Sequence, residues 1–152
     1  MLWVAAADIR FKISPHDDLR GDCGGDWDLE RRFPLADAVK HRSIVQRYSE
    51  GMDWEDTDLF RKVYSRRILI EPIRGEATME GLLDQYRGRV DGMFADLKRN
   101  GFRANQPLPK FLVGRDQVFI GNQGNHRLAM AQILGIEIAG EVICRHRCSI
   151  AA

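Results

Sequence analysis

The feature that most constrains the fold is a long amphipathic segment in the middle of the chain, from Thr78 to Asn100. Its apolar residues recur at intervals of three and four, which places them on one face of an α-helix. They are Met79, Leu82, Leu83, Tyr86, Val90, Met93, Phe94 and Leu97. Thr78 suits an N-cap, and Asn100 followed by Gly101 suits a C-terminal stop. The segment therefore predicts one helix, and its internal glycines require support from tertiary packing because each costs about 1 kcal/mol relative to alanine.

Short apolar runs and turn residues follow this helix and predict a small sheet. Strands are predicted at 109–113 and 118–120, joined by a turn at 114–116. A glycine-containing loop, a helix that ends at Gly135 and a last strand at 141–145 come next. This order of elements predicts an α/β fold (α+β) with a small mixed sheet flanked by helices.

The N-terminal half is predicted to form an extension rich in helices and loops. A strand is predicted at 2–6, with a continuation at 9–13, and a loop with several glycines and aspartates covers 16–28. Helices are predicted at 35–48 and within 53–64, where acidic residues favour the first turn.

Length and charge restrict the classes of function. The chain has 152 residues, which fits a single domain. Its 23 basic and 22 acidic residues give a net charge of +1, which argues against coating nucleic acid through bulk charge. No run approaches the roughly 18 apolar residues of a membrane span, and the first residues lack the pattern of a signal peptide. The three cysteines are too few for a disulfide framework, which predicts a cytoplasmic protein. Together with the lack of a long apolar run, this predicts that the protein does not bind membranes.

The segment QVFIGNQGNHRLAMAQILG carries the clearest chemical signal. A strand ends at Ile120, and a loop with two glycines leads into a helix that begins near His126. Backbone amides at a helix N-terminus and the positive end of its dipole favour an anion such as phosphate. Arg127 could bind the same anion, and His126 could donate a hydrogen bond or accept a proton near neutral pH. Asn122 and Asn125 could orient a ligand, or the segment is an ordinary strand–turn–helix connection that they cap.

This segment resembles the second box of ParB-like N-terminal domains, whose fold is shared with sulfiredoxin. The helix start reads G-E-R-R in ParB and G-C-H-R in sulfiredoxin, and GNHR at 124–127 here. In the first box a helix ends in glycine and a Gln-Pro pair leads into a strand, matched here by Gly101, Gln106 and Pro107. The resemblance covers about residues 80–146.

The resemblance implies a ParB/sulfiredoxin-like core at 78–148 and an N-terminal extension at 1–77. The extension resembles that of uncharacterised ParB-like proteins, which contain a GGDWD segment and a W-x-x-T segment. The last predicted strand lies close to the end of the chain, so the helix-turn-helix DNA reader and the dimerisation region of ParB are not expected. Chromosome partitioning is therefore not the expected role.

What the resemblance implies for function is a nucleotide pocket for ATP, ADP or CTP. Gly124 and Arg127 match its phosphate-binding positions, His126 matches the sulfiredoxin pattern, and Gln106 matches the first box. Asn125 stands where sulfiredoxin has its reactive cysteine, so that repair chemistry is not expected, because an amide supplies no thiolate.

Carboxylates elsewhere raise the possibility of catalysis. The loop GDCGGDWD contains Asp22, Asp26 and Asp28, and carboxylates on such a loop could hold Mg²⁺ beside phosphates. Asp26, Asp28 and Glu55 are the candidate catalytic residues, and Asp96 is a further candidate base. The competing interpretations are a polar turn for the aspartates and, for Glu55, a helix start that complements the dipole.

Two functions from different classes follow. One is a nucleotide-binding enzyme that transfers a phosphoryl group to a small-molecule acceptor or hydrolyses its nucleotide with Mg²⁺. The other is a non-catalytic module that binds nucleotide or nucleic acid and signals to a partner protein; a nuclease has less support. A carboxylate that faces Arg127 across one pocket would favour the enzyme.

The C-terminal segment CRHRC, at 144–148, places two cysteines around a histidine. It supplies at most three metal ligands, with Cys23 as a distant fourth, and its spacing matches no zinc pattern. A structural role at the end of a strand is therefore the preferred interpretation.

Overall fold

The structure, a computed structural model, describes residues 1–14 and 19–150. Within these residues seven strands form one mixed sheet. The strands are β1 (Leu2–Ala5), β2 (Phe11–Lys12), β3 (Gly21–Cys23), β4 (Phe33–Pro34), β5 (Lys110–Val113), β6 (Phe119–Gln123) and β7 (Glu137–His146). Their order is β1-β7-β5-β6-β2-β4, and β3 also pairs with β7. The predicted mixed α/β class is confirmed, while the ParB-like details of the fold remain a prediction.

Both strand orientations occur in the sheet. The antiparallel pairs are β1 with β7, β2 with β4, and the hairpin of β5 with β6. The parallel pairs are β2 with β6, β3 with β7, and β5 with β7. Strand β5 lies between β6 and β7, and it is antiparallel to β6 and parallel to β7.

The helices cluster before and after the hairpin. They are α1 (Trp27–Glu30), α2 (Val39–Tyr48), α3 (Ser65–Arg67), α4 (Met79–Gln85), α5 (Asp91–Asn100), α6 (Asn125–Leu134) and α7 (Arg147–Ile150). A 3₁₀ turn at Leu35–Asp37 precedes α2, another lies at Trp54–Asp56, and a π-helical segment at Leu59–Tyr64 leads into α3. The predicted helices of the N-terminal half are therefore present, but in shorter pieces than the sequence suggests.

The amphipathic segment forms the predicted helix with one irregularity. Helices α4 and α5 are joined by a π-helical turn at Tyr86–Val90. The Thr78 hydroxyl accepts a hydrogen bond from the Gly81 amide at 3.1 Å, which confirms the N-cap. Gly101 ends the helix with φ of +70°, as expected for a glycine stop.

Strand β6 extends beyond the predicted boundary. Residues 121–123 were predicted as loop, but they continue the strand, because Lys12 of β2 pairs with Gly121 and Lys110 of β5 pairs with Gln123. Asn122 is only 3% exposed, and its side-chain amide donates to the Ser14 carbonyl at 3.3 Å. Asn122 is therefore a buried strand residue, and its polar side chain is hydrogen-bonded inside the protein.

Apolar side chains fill both faces of the sheet. The larger cluster packs the helices against the sheet through Trp54, Phe60, Tyr86, Phe111 and Leu128, among others. The smaller cluster on the other face contains Ile13, Trp27, Leu112, Ile120 and Cys144. Trp27, near the end of the aspartate-rich segment at 16–28, belongs to this second cluster, and residues 16–18 of that segment lie outside the described residues.

No helix among the described residues combines the length and the apolar character that a bilayer span requires. This agrees with the predicted lack of a membrane-spanning helix.

Candidate functional site

The predicted corner between β6 and α6 is sharply bent around Gly124. This residue has φ of +85°, in the left-handed region that favours glycine. A Cβ placed on Gly124 would lie 2.8 Å from the Cβ of Pro109, closer than packed atoms approach. The backbone therefore passes directly against the residue before β5, and a side chain has no room there.

Helix α6 begins with free backbone donors. Within the described residues, the amides of Asn125, His126 and Arg127 donate no hydrogen bond, whereas the Leu128 amide donates to the Gly124 carbonyl at 3.1 Å. Such amides carry the positive end of the helix dipole and favour an anion.

A cavity of about 300 Å³ opens in front of these amides. It is lined by Lys40, Arg74, Met93, Gln123, Gly124, Asn125, His126 and Arg127. Lys40 comes from α2, Arg74 from the loop between α3 and α4, and Arg127 from α6. Among the described residues, the lining contains three cationic side chains and no carboxylate. Three separate elements therefore place positive charge at one helix N-terminus.

A strained turn holds Arg74 in place. Arg74 has φ of +53°, which is uncommon outside glycine, and the amides of Ile73 and Glu76 each donate to the other's carbonyl at 2.9 Å. The Arg74 guanidinium donates to the Gln85 side chain at 3.0 Å, and its Cζ lies 5.5 Å from the centre of the Tyr86 ring. Arg74 is exposed, and both contacts hold its guanidinium beside the cavity that it lines.

Lys12 adds a buried positive charge beside the cavity. It is 9% exposed and makes no hydrogen bond or ion pair within the described residues. Burial lowers its pKa, and nearby Lys40 lowers it further. The pKa of Lys40 is itself lowered, by burial first and then by Arg74 and Arg67. Repulsion among these cations therefore contributes to both pKa shifts.

His126 faces a chain of buried hydroxyl groups. Its Nε2 lies 3.5 Å from the Tyr86 hydroxyl, which lies 2.8 Å from the Tyr64 hydroxyl. Burial, followed by the charges of Arg74 and Lys40, lowers the pKa of His126 to about 3. His126 is therefore neutral at pH 7, so it is a poor fit to the predicted proton acceptor near neutral pH.

The Arg127 side chain makes contacts within the protein that the sequence did not predict. Its Nη2 donates to the Pro107 carbonyl, and its Cζ lies 5.6 Å from the centre of the Phe102 ring. Its Nη1 is buried without a partner among the described residues. The guanidinium thus ties α6 to the segment that contains Gln106, in addition to lining the cavity.

The predicted binding residues are therefore only partly brought together. Gly124, Asn125, His126 and Arg127 line the cavity. Gln106 is exposed and outside the lining, next to the carbonyl that Arg127 binds. Asn122 is buried in the sheet and also outside the lining.

The candidate carboxylates Asp26 and Asp28 form a second charged cluster, with Arg115. Arg115 Nη2 donates to Asp26 at 2.7 Å and to Asp28 at 2.8 Å, and the Arg115 amide donates to Asp28 at 2.7 Å. Asp28 is completely buried, which by itself raises its pKa, but the hydrogen bonds and charge of Arg115 outweigh burial and lower the pKa. This cluster is a paired, satisfied network.

The two clusters lie at opposite ends of β5. A Cβ on Gly114, just after β5, would lie 3.3 Å from an Asp28 oxygen, whereas Gly124 meets Pro109, just before β5. The five residue steps between these ends span roughly 16 Å. Asp26 and Asp28 therefore do not face Arg127 across one pocket.

The remaining carboxylate candidates also lie away from the cavity lining. Glu55 is exposed in the 3₁₀ turn, and Asp96 pairs with Arg103 at 2.8 Å. Within the described residues, no group of three or more His, Cys, Asp or Glu side chains is arranged to hold a metal. The paired Asp26 and Asp28 thus fit poorly as Mg²⁺ ligands.

The C-terminal cysteines and histidine occupy structural positions. Cys144 is buried in β7, and burial raises its pKa to about 12. His146 Nε2 hydrogen-bonds the Gly25 carbonyl at 2.8 Å, and Cys148 is exposed. The structural interpretation of CRHRC therefore stays a prediction.

Sequence reasoning missed Lys12, Lys40 and Arg74. The only local signal is the Arg74-Gly75 pair shortly before the Thr78 cap, which is typical of a turn. Lys12 and Lys40 stand in a strand and in a helix without any motif, and only the tertiary fold brings them to the corner.

Comparison with known proteins identifies no relative. No family model, no curated protein and no solved structure matches this chain.

Proposed function

We propose that this chain binds a nucleotide through its phosphates at the N-terminus of α6. The observation that carries the proposal is the cavity in which Lys40, Arg74 and Arg127 converge on free helix amides, with no acid among the described lining residues. A phosphate accepts hydrogen bonds from such amides and from guanidinium groups, and it neutralises the charge they share. The ParB-like resemblance of residues 80–146 supports the same ligand class.

The site favours a binding module over a phosphotransferase or hydrolase. Phosphoryl transfer needs a group that accepts or orients a proton beside the terminal phosphate, and metal ions usually bridge the phosphates. The described lining has no carboxylate. Its one histidine, His126, is neutral at pH 7, and its Nε2 lies 3.5 Å from the Tyr86 hydroxyl. The alternative that fits this geometry is nucleotide binding whose outcome is passed to a partner protein.

A thermal-shift panel tests the proposal. Nucleoside di- and triphosphates are added with and without Mg²⁺ to the native chain, to Arg74→Ala and to Arg127→Ala. A ligand at one hundred times its dissociation constant stabilises the native chain by about 2.7 kcal/mol. Arg74→Ala is expected to lose most of this shift.

The matched control is Arg103→Ala, which removes an arginine that pairs with Asp96 outside the cavity. This variant is expected to keep the full shift. A native chain that responds to no nucleotide would overturn the proposal, and a shift that survives both cavity variants would place the site elsewhere.

A further inference from the structure

The cavity in front of α6 carries more positive charge than one phosphate group can neutralise. Lys40, Arg74 and Arg127 line it, and Lys12 lies beside it, which makes four cations. His126 adds none because it is neutral at pH 7. A phosphate monoester carries at most about two negative charges at this pH, whereas a di- or triphosphate carries more. The charge balance therefore favours a chain of phosphates.

The direction of Lys12 links it to this cavity. Lys12 pairs in register with Gly121 of the parallel strand β6, so their side-chain positions share one face of the sheet. A Cβ on Gly121 would lie 3.3 Å from the Leu128 side chain, which identifies that face as the one covered by α6. Lys12 therefore leaves the sheet beneath α6.

An ammonium group in this position normally has a partner. Buried charges are paired or bind an ion, because desolvation without compensation costs several kcal/mol. Lys12 is 9% exposed and has neither a hydrogen bond nor an ion pair within the described residues, and its ammonium nitrogen keeps some contact with solvent. An anion that reaches past the helix amides toward Lys12 would supply a partner for this charge.

The lining is unsuited to a metal-bound phosphate. Mg²⁺ is held in proteins by carboxylates together with phosphate oxygens and water. Among the described lining residues, the side-chain acceptor oxygens are the neutral amides of Gln123 and Asn125, which share the cavity with three cations. A divalent cation is repelled there and also reduces the charge that the cavity binds.

The size of the cavity restricts which part of the ligand is inside. A volume of about 300 Å³ is at the lower end of the range for small-molecule pockets. Met93 is the one large apolar side chain among the described lining residues, which include no Phe, Tyr or Trp to stack on a base. The cavity thus suits a phosphate chain, with a nucleoside, where there is one, outside it.

We infer that the ligand is a metal-free di- or triphosphate recognised by its phosphate chain, with Lys12 as the inner contact. The inference rests on the proposed function, since it specifies the ligand of the same site. Inorganic tripolyphosphate and a nucleoside triphosphate share this chemistry, and both belong in the test.

Isothermal titration calorimetry on the native chain tests the ligand. Orthophosphate, diphosphate, tripolyphosphate and a nucleoside triphosphate are titrated in EDTA, and the two triphosphates again in excess Mg²⁺. Affinity is expected to rise at least tenfold from orthophosphate to diphosphate and again to tripolyphosphate, and to fall at least tenfold with Mg²⁺. The affinities of tripolyphosphate and the nucleoside triphosphate are expected to agree within about tenfold. The two compounds differ by about one charge, and one charge contact is worth about that factor.

Lys12→Met tests the inner contact, and Lys62→Met is the matched control on the surface. Lys12→Met is expected to weaken tripolyphosphate at least tenfold and orthophosphate less than threefold, while Lys62→Met changes neither. Binding that requires Mg²⁺, orthophosphate that binds as well as tripolyphosphate, or a nucleotide that binds when tripolyphosphate does not would overturn the inference and leave the proposed function standing. If no phosphate compound binds under any condition, the proposed function itself fails. Since the native chain answers the questions of metal and chain length, the test does not depend on the folding of a variant.

Discussion

The two ends of β5 carry charged clusters of opposite design. At the end near Gly114, Arg115 meets the carboxylates of Asp26 and Asp28 at 2.7–2.8 Å. At the end near Gly124, Lys40 and Arg74 share a cavity, and the part of its lining that the structure describes has no acid. Each end has a glycine turn and an arginine, so the local sequence does not separate them. The difference is charge balance: among the described residues the first end pairs its cation with acids, and the second has cations and no acid in its cavity lining.

The largest expected effect is at the balanced end. Asp28→Ala is expected to lower the free energy of unfolding by about 3 kcal/mol, because the Arg115 amide and guanidinium lose their buried acceptor. Asp26→Ala, whose side chain is 60% exposed, is the matched control and is expected to cost less than about 1 kcal/mol.

Urea unfolding followed by circular dichroism measures both changes, and triphosphate affinity of the folded variants is expected to stay native. Equal losses of stability in the two variants would contradict the buried role of Asp28. A loss of triphosphate binding in the folded Asp28→Ala variant would contradict the separation of the two ends.

A smaller effect is expected from a methyl group at the unbalanced end. Gly124→Ala is expected to cost about 2 kcal/mol, because its φ is positive and the new Cβ would press on Pro109. Gly135→Ala, at the other end of α6, has φ of +65° but open space around it, and it is expected to cost about 1 kcal/mol.

Thermal unfolding compares the two variants, and calorimetry with tripolyphosphate shows which of them affects the site. Gly124→Ala is expected to lose binding while Gly135→Ala keeps it. Native binding by Gly124→Ala would mean that the ligand does not need the close approach of the backbone at this corner.

Local patterns in the sequence predicted most of the elements but little of their assembly. The helix over residues 78–100 follows from its apolar spacing, since that signal lies within one segment. The strand at 121–123 was missed because Gly121, Asn122 and Gln123 have low strand propensity, and pairing with β2 and β5 overrides it.

The site was predictable to the same extent. Gly124 and its three successors follow from one strand–glycine–helix segment. Lys12, Lys40 and Arg74 come from a strand, a helix and a loop that are distant in sequence, so no motif connects them. Asp26 and Asp28 attract attention as an acidic loop, but their partner Arg115 lies about 90 residues away and is recognised only in the fold.

The pH dependence of stability provides a second test of the unbalanced end. The pKa of His126 is about 3 in the folded chain, against about 6.5 when unfolded. Between these values the unfolded chain binds the extra proton, so the free energy of unfolding rises with pH up to about 6.5 and falls on acidification. His126→Gln is expected to flatten this dependence by at most about 1.4 kcal/mol per pH unit.

Urea unfolding of the native chain and His126→Gln from pH 7 to pH 4.5 measures the difference, which removes the contribution of the carboxylates common to both. Parallel curves would show that His126 titrates normally and that the positive field at the corner is weaker than the lysines and Arg74 indicate.

The smallest expected effect is a difference in the sign of the stability change between two lysine variants. Lys40→Met is expected to raise the stability of the ligand-free chain by about 0.3 kcal/mol, because it removes repulsion from Arg74 and Arg67. Lys62→Met removes a lysine that pairs with Asp58 at 3.0 Å, and it is expected to lower stability by a similar amount.

Replicate urea titrations at low ionic strength resolve the two signs, and added salt is expected to shrink both effects through screening. With saturating tripolyphosphate, Lys40→Met is expected to lower stability instead, because the native Lys40 then attracts the bound anion. A Lys40→Met variant that is destabilised in the ligand-free state would mean that this lysine already has a counter-charge, and the contrast between the two ends of β5 would lose its physical basis.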